Sequence, residues 1–430
     1  MSGIIINPYN FGAAVDEAYS FKYDIDAGDL DVELYSYAGI TGFNYDVDWG
    51  DGTSDTGVVI NNHTHTYPSA GEYIVRITGI FPGLSMSFAT TARRNQIKAF
   101  LNWGTVPLKS IYGMFEECIN MTYEATDAPD LSGVIAPYNF ANYMFMDCTS
   151  ITSLDLSNWT DTDNIMQFYQ TFYNTTACTL LNLTNWDTSN ATTSHQAFGY
   201  VGSAGSGCEF ILPSLDWAGQ IPYQGFIGAK FSASPDVSNW VMPSLPNLTY
   251  LFYNTDGAVA LDLSTWDISN VTSLLYTFGY CEFTSLNLTN WDTSNVTTFA
   301  QTFYNSQGLT HITGLSGFNA SSCNSIRSMF YFCKTLSFGL SGSTTNFGSN
   351  WGPNLGGVTT FQYTFGAVGN TVPGLPPTVS NWDVSSVGGF YQMFISSRFT
   401  AGMDFSNWVL SALHPTAKLL RYMFYISDGI

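Results

Sequence analysis

From about residue 100 onward the chain repeats one short rhythm of apolar and polar positions. Residues 261–278 read LDLSTWDISNVTSLLYTF, and residues 286–303 read LNLTNWDTSNVTTFAQTF, a near copy at an offset of 25. Such self-similarity marks a stack of small units, none of which buries its apolar face alone. Each unit closes on a phenylalanine: Phe115, Phe145, Phe172, Phe198, Phe226, Phe252, Phe278, Phe303, Phe330, Phe365, Phe394 and Phe424, spaced 25 to 35 residues apart. A second anchor stands about twelve residues upstream, at Trp103, Trp159, Trp186, Trp240, Trp266, Trp291, Trp382 and Trp408. Trp351 and Trp217 hold that place at shifted spacing, and Phe318 substitutes once. About eleven or twelve units therefore fill residues 100–430.

Within a unit the LxL alternation predicts a short strand with both leucines inward. The SNWDTSN stretch is a polar corner whose Asx, Ser and Thr side chains cap backbone groups. For the VTxxxxTF segment the spacing leaves open a helical turn, a 3₁₀ turn or a second short strand. Stacking the units pairs each strand with its copy in one parallel sheet. The expected core columns hold Trp159, Trp186, Trp240, Trp266 and Trp291 with Phe172, Phe252, Phe278, Phe303 and Phe330. The tryptophan column has a second reading, as a strip of flat rings for a glycan.

Four residues before the tryptophan stand Asp155, Asn182, Asp236, Asp262, Asn287 and Asp404, each between two inward leucines or their equivalents and so pointing outward. They form a candidate binding face for cations or polar sugars, with a solvated face as the competing reading. The asparagine just before each tryptophan (Asn158, Asn185, Asn239, Asn290, Asn381, Asn407) is expected to form a structural ladder to corner backbone.

Residues 15–80 change rhythm to strict alternation bounded by Gly and Asp turns, which predicts an antiparallel β-sandwich. Residues 1–14 read as an arm and residues 81–99 as a linker, where Arg93, Arg94 and Lys98 are expected to make salt links to the sandwich or the first repeat. Asp46, Asp48, Asp51 and Asp55 offer oxygen ligands for a cation such as calcium, against turn chemistry as the plainer reading.

The residues Asp48, Trp49, Gly50, Asp51, Gly52 and Thr53, followed by His65, Thr66, Tyr67, Gly71, Tyr73 and Val75, resemble the two signatures of the PKD family. That resemblance implies an immunoglobulin-like spacer or adhesion module. The repeats resemble the BspA-type leucine-rich repeat proteins, most closely at residues 154–172, 181–198, 261–278 and 286–303. Together they imply a mainly β chain: an immunoglobulin-like sandwich followed by a leucine-rich-repeat-type solenoid with a stacked parallel sheet.

Composition narrows the function. Across 430 residues the net charge is −21 with only 12 Lys plus Arg, which argues against nucleic acid and against an anionic membrane surface. No run of apolar residues is long enough for a membrane span, and the N-terminus lacks the basic region of a signal peptide. Seven cysteines form no CxxC pair; Cys118, Cys148, Cys281 and Cys333 recur three residues after an anchor phenylalanine and are expected as buried fillers. No catalytic motif or histidine constellation is present, so no enzyme and no cofactor are expected.

The expectation is a non-enzymatic structural or adhesion protein on a phage virion: a capsid decoration, head fibre or tail appendage. Residues 1–80 would anchor it and the repeats would project. The alternatives are a bacterial cell-surface adhesin and a glycan-binding accessory module. Partners would be other virion or surface proteins and a host glycan or protein, within a homo-oligomer or larger assembly.

Overall fold

The computed structural model describes residues 17–213, 223–238, 240, 246–257, 259–338, 347, 351–408, 420 and 422–427. The arm expected at 1–14, and Trp217 and Asn239, lie outside them. The described chain is mainly β, with an antiparallel N-terminal sheet leading into a parallel β-solenoid.

The N-terminal strands are β1 (Tyr19–Ile25), β2 (Asp31–Leu34), β3 (Asn44–Asp48), β4 (Ser54–Val58), β5 (His63–Thr66) and β6 (Gly71–Ile80). Alternation works here as expected: β1 buries Tyr19, Phe21, Tyr23 and Ile25. Strands β3, β6 and β1 pair antiparallel, with β4 on the outer edge, while β2 and β5 form a separate ribbon. Trp49, just after β3, stacks on His65 of that ribbon at 4.6 Å, tying the two layers together.

The segment expected as a linker is a structural joint. It holds a 3₁₀ turn at Met86–Phe88, the short helix α1 (Thr91–Asn95) and strand β7 (Ile97–Asn102). Strand β7 pairs antiparallel with β1 and parallel with β8 (Thr122–Tyr123), so sandwich and solenoid share one six-stranded sheet. The expected salt links are here. Arg93 meets Asp29 of the sandwich at 2.7 Å, Arg94 pairs with Glu117 of the first repeat, and Lys98 reaches Asp24 at 4.0 Å.

In the solenoid, β9 (Ser153–Asp155), β10 (Leu180–Asn182) and β11 (Glu209–Ile211) run parallel in register, Leu154 beside Leu181 beside Phe210. Farther along, β12 (Ala260–Asp262), β13 (Ser285–Asn287) and β14 (His311–Thr313) repeat the pattern, Leu261 beside Leu286 beside Ile312. A second column of single parallel bridges runs from Asn247 through Ser273 and Thr298 to Ser325.

The segment left open by the sequence is neither helix nor strand. In every unit two left-handed residues stand two before and two after the anchor phenylalanine, as at Gln301 (φ 58) and Asn305 (φ 58) around Phe303. The N–H groups of these three residues donate to the next coil, at Arg327, Met329 and Tyr331, over 2.7 to 2.9 Å. Left-handed backbone costs a non-glycine residue about 1–2 kcal/mol, and these cross-coil bonds offset it. All twelve anchor phenylalanines stack ring on ring, with centroids 4.9 to 5.8 Å apart.

The described tryptophans are buried, Trp408 only partly, but stack in shorter runs: Trp159 on Trp186, Trp240 on Trp266, and Trp291 on Phe318. Four indole N–H groups bind the preceding coil: Trp186 donates to the Leu156 carbonyl (3.1 Å), Trp266 to that of Val237 (3.0 Å), Trp291 to that of Leu263 (2.9 Å) and Trp408 to that of Val379 (2.7 Å). All seven cysteines are buried free thiols. Cys148, Cys281 and Cys333 do more than fill space: each Sγ donates to the carbonyl of the preceding anchor phenylalanine, over 2.7 to 2.9 Å.

Candidate functional site

The outward Asp/Asn column lies where the alternation placed it, but it serves its own corner. Asp155 Oδ1 accepts from the Ser157 N–H and hydroxyl, Asn182 from Thr184, Asp236 from Ser238, and Asn287 from Thr289. Asp262 and Asp404 accept the backbone N–H of Ser264 and Ser406. Serine donors hold the carboxyls of Asp236 and Asp262 below the usual carboxylate range. The asparagines before the tryptophans reach back one coil: Asn158 to Thr126, Asn185 to Ser157 and Asn290 to Ser264 carbonyls.

In the sandwich the four candidate calcium ligands are engaged separately. Asp46 accepts from the Gly57 N–H, Asp48 from that of Gly50, and Asp51 from Thr53. Asp51 and Asp55 also meet His65 and His63, each at 2.9 Å, and the Trp49 indole donates to Asp55. Among the described residues no three His, Cys, Asp or Glu side chains gather as a metal site.

What the sequence reading missed is the outer face of the left-handed turn. Its side chains, within three residues of the anchor phenylalanine, form an unbroken chain of ring contacts along the solenoid. Beginning on Tyr37 of the N-terminal domain, it runs through Tyr112, Tyr143, Tyr169, His195, Tyr223, Tyr250, Tyr276, Tyr304, Tyr331, Tyr363, Tyr391 and Tyr422, with successive centroids 4.7 to 6.4 Å apart. Most pairs meet edge to face, the geometry that ring quadrupoles favour. All of these rings are half-buried except Tyr422, which is exposed. Burial, then the neighbouring tyrosines, pushes several phenols up, Tyr304 to about 12, so the ribbon is neutral and rich in hydroxyls. Burial lowers His195, keeping that ring uncharged as well. The signal was present in the sequence as tyrosines recurring at fixed offsets from the anchors, masked because three registers share the task.

Near the middle of the ribbon lies a cleft of about 350 Å³. Two residues after the anchor phenylalanine, successive coils carry Tyr200, Gly228, Asn254 and Tyr280. Gly228 is left-handed (φ 65), and a Cβ there would lie 2.4 Å from the Tyr200 ring. The Tyr200 ring takes the place of the missing side chain, and the cleft opens beside it. Lys230 and Asp256 meet across it at 3.2 Å. Glu282 stands beside them with its carboxyl raised by burial and by the Asp256 charge.

A family model described as "Mycoplasma protein of unknown function, DUF285" matches residues 83–206, 223–343 and 349–428. No curated protein and no solved structure matches the chain. The match begins in the joint and follows the solenoid, leaving the PKD-like character of the sandwich and the leucine-rich label of the repeats as resemblances. With the model covering well over half of its length, this β-solenoid chain belongs to the DUF285 family.

Proposed function

We propose that the protein is a non-enzymatic surface protein that extends its solenoid for adhesion, with the tyrosine ribbon as the contact face. The observation that carries this reading is the unbroken line of half-exposed rings from Tyr37 to Tyr422. Rings that brace one another have little freedom left to lose on binding, and tyrosine adds a polar tip to a large apolar body. The Asp/Asn strand face, occupied by its own turns, is the lesser surface.

The favoured setting is a phage virion surface, with the sandwich end anchored and the repeats outward. Strong acidity, buried free thiols and an immunoglobulin-like first module support it. A bacterial cell-surface adhesin is the second reading, favoured by the cellular description of the matched family. Partners are surface proteins or glycans within a larger assembly. Nucleic acid, membrane insertion and cofactors have no part in the proposal.

The test is saturable binding of labelled full chain to intact cells of the host bacterium. Replacing Tyr143, Tyr169 and Tyr223 together by Ser should weaken retention roughly tenfold while far-UV circular dichroism stays close to the parent. Retention indifferent to the triple change would remove the ribbon from the mechanism. Immunogold labelling of particles and of cell envelopes separates the two settings.

A further inference from the structure

We infer that the cleft at Gly228 is a subsite for a neutral sugar of an extended glycan, with Tyr200 and Tyr280 as its walls and Lys230, Asp256 and Asn254 reading the hydroxyls. This rests on the reading of the ribbon as the contact face and names what that face binds at one point.

The cleft is built by a single departure from the repeat. In the same register other coils carry Glu117, Asp147, Asn174, Asn305 and Phe332, all left-handed and all bearing side chains. Only at Gly228 among the described positions of this register is the side chain missing, and the Tyr200 ring leans into its place. The two tyrosine walls continue into the aromatic surface on either side, Tyr200 through Tyr173 (5.4 Å) and Tyr280 through Tyr253 and Tyr304 (5.3 Å each). A polymer lying along the solenoid therefore meets rings before, within and after the gap.

The chemistry of the lining selects the ligand. A sugar hydroxyl both donates and accepts, and it needs the two kinds of partner side by side. The Lys230 ammonium and the Asp256 carboxylate provide them 3.2 Å apart, with Lys230 about a quarter exposed and Asp256 about half. Asp256 is held in place by the Gly257 N–H at 2.6 Å. The exposed Asn254 adds an amide, and Glu282 a second carboxyl. An anionic sugar would face Asp256 and Glu282 on a chain of net charge −21, and a cation would face Lys230. The C–H face of a neutral pyranose suits the negative face of a tyrosine ring.

The experiment uses the full chain and a panel of neutral oligosaccharides, oligomers of glucose, N-acetylglucosamine, galactose and mannose, read by titration calorimetry. At least one series should bind, more tightly as its length grows. Gly228→Asn restores the rung with the residue this register already carries, left-handed, at 174, 254 and 305. The added side chain displaces the Tyr200 ring, 2.4 Å from where its Cβ would lie, and should weaken sugar binding roughly tenfold. Tyr280→Ser, which removes a wall without touching the backbone, should do the same. Cell retention that is intact alongside no neutral-sugar binding, or sugar binding equal in parent and both variants, overturns the subsite and leaves the adhesion reading standing. Loss of retention after protease treatment of the cells but not after periodate, with no sugar bound, overturns it in favour of a protein receptor. A chain that binds neither cells nor sugars defeats both.

Discussion

Asp262 shows how a polar residue in this fold is assigned its work. Its carboxylate accepts from Ser264 in its own corner, and that bond holds its pKa down. A carboxyl depressed on folding adds stability above its unfolded value, near 3.9, and loses it as the pH falls through the folded value. Asn182 and Asn287 cap the same corner from the same register without titrating. Asp262→Asn should therefore melt with the parent at neutral pH and lose less than the parent below about pH 4, a difference that thermal scans at several pH values will measure. The cysteine register follows the same logic of role over identity. Ser306 donates to the Phe278 carbonyl as Cys281 does to that of Phe252. Cys281→Ser should be tolerated, whereas Cys281→Val, which deletes the donor, should cost about 1–3 kcal/mol in denaturant titration.

Within a coil, stability rests on the anchor phenylalanine. Phe303 is fully buried between Phe278 (5.5 Å) and Phe330 (5.1 Å). Truncating it to Ala should cost roughly 3–5 kcal/mol. Because a solenoid passes damage mainly to its neighbours, limited proteolysis should nick near residue 303 while the N-terminal sandwich survives. Cleavage spread evenly along the chain would contradict the stack. The turn around Phe303 makes a separate prediction. Asn305 is left-handed at φ 58, so Asn305→Gly should be close to neutral, and Asn305→Val should destabilise by about 1–2 kcal/mol, both read as shifts of the unfolding midpoint.

Taken as a whole, the chain cannot be cut where its change of rhythm suggests. Strand β1 of the sandwich lies between β6 and β7, and Tyr19 touches both Phe100 (5.2 Å) and Trp103 (5.9 Å) of the first repeat. Deleting residues 1–80 would strip β7 of its antiparallel partner and uncover those rings. The truncated chain should aggregate or lose its first coils, seen as lost far-UV signal and protease sensitivity around residue 100. A monomeric, fully structured product would show that the shared sheet matters little.

Repeat length, the inward columns and the mainly β class were readable from the sequence because every coil places the same register in the same surroundings, and a shared environment leaves a periodic trace. Phe278 and Leu261 are buried where the pattern put them. Other features depend on which residues of different coils come to lie side by side, and one coil's sequence carries no record of that. Cross-coil hydrogen bonds chose a left-handed turn over helix or strand at Gln301 and Asn305. Pairing of β7 with β1 turned an apparent linker into a joint. Tyrosines from three registers merged into one ribbon only when the coils stacked, and the cleft beside Gly228 exists only because Tyr200 and Tyr280 of neighbouring coils flank it.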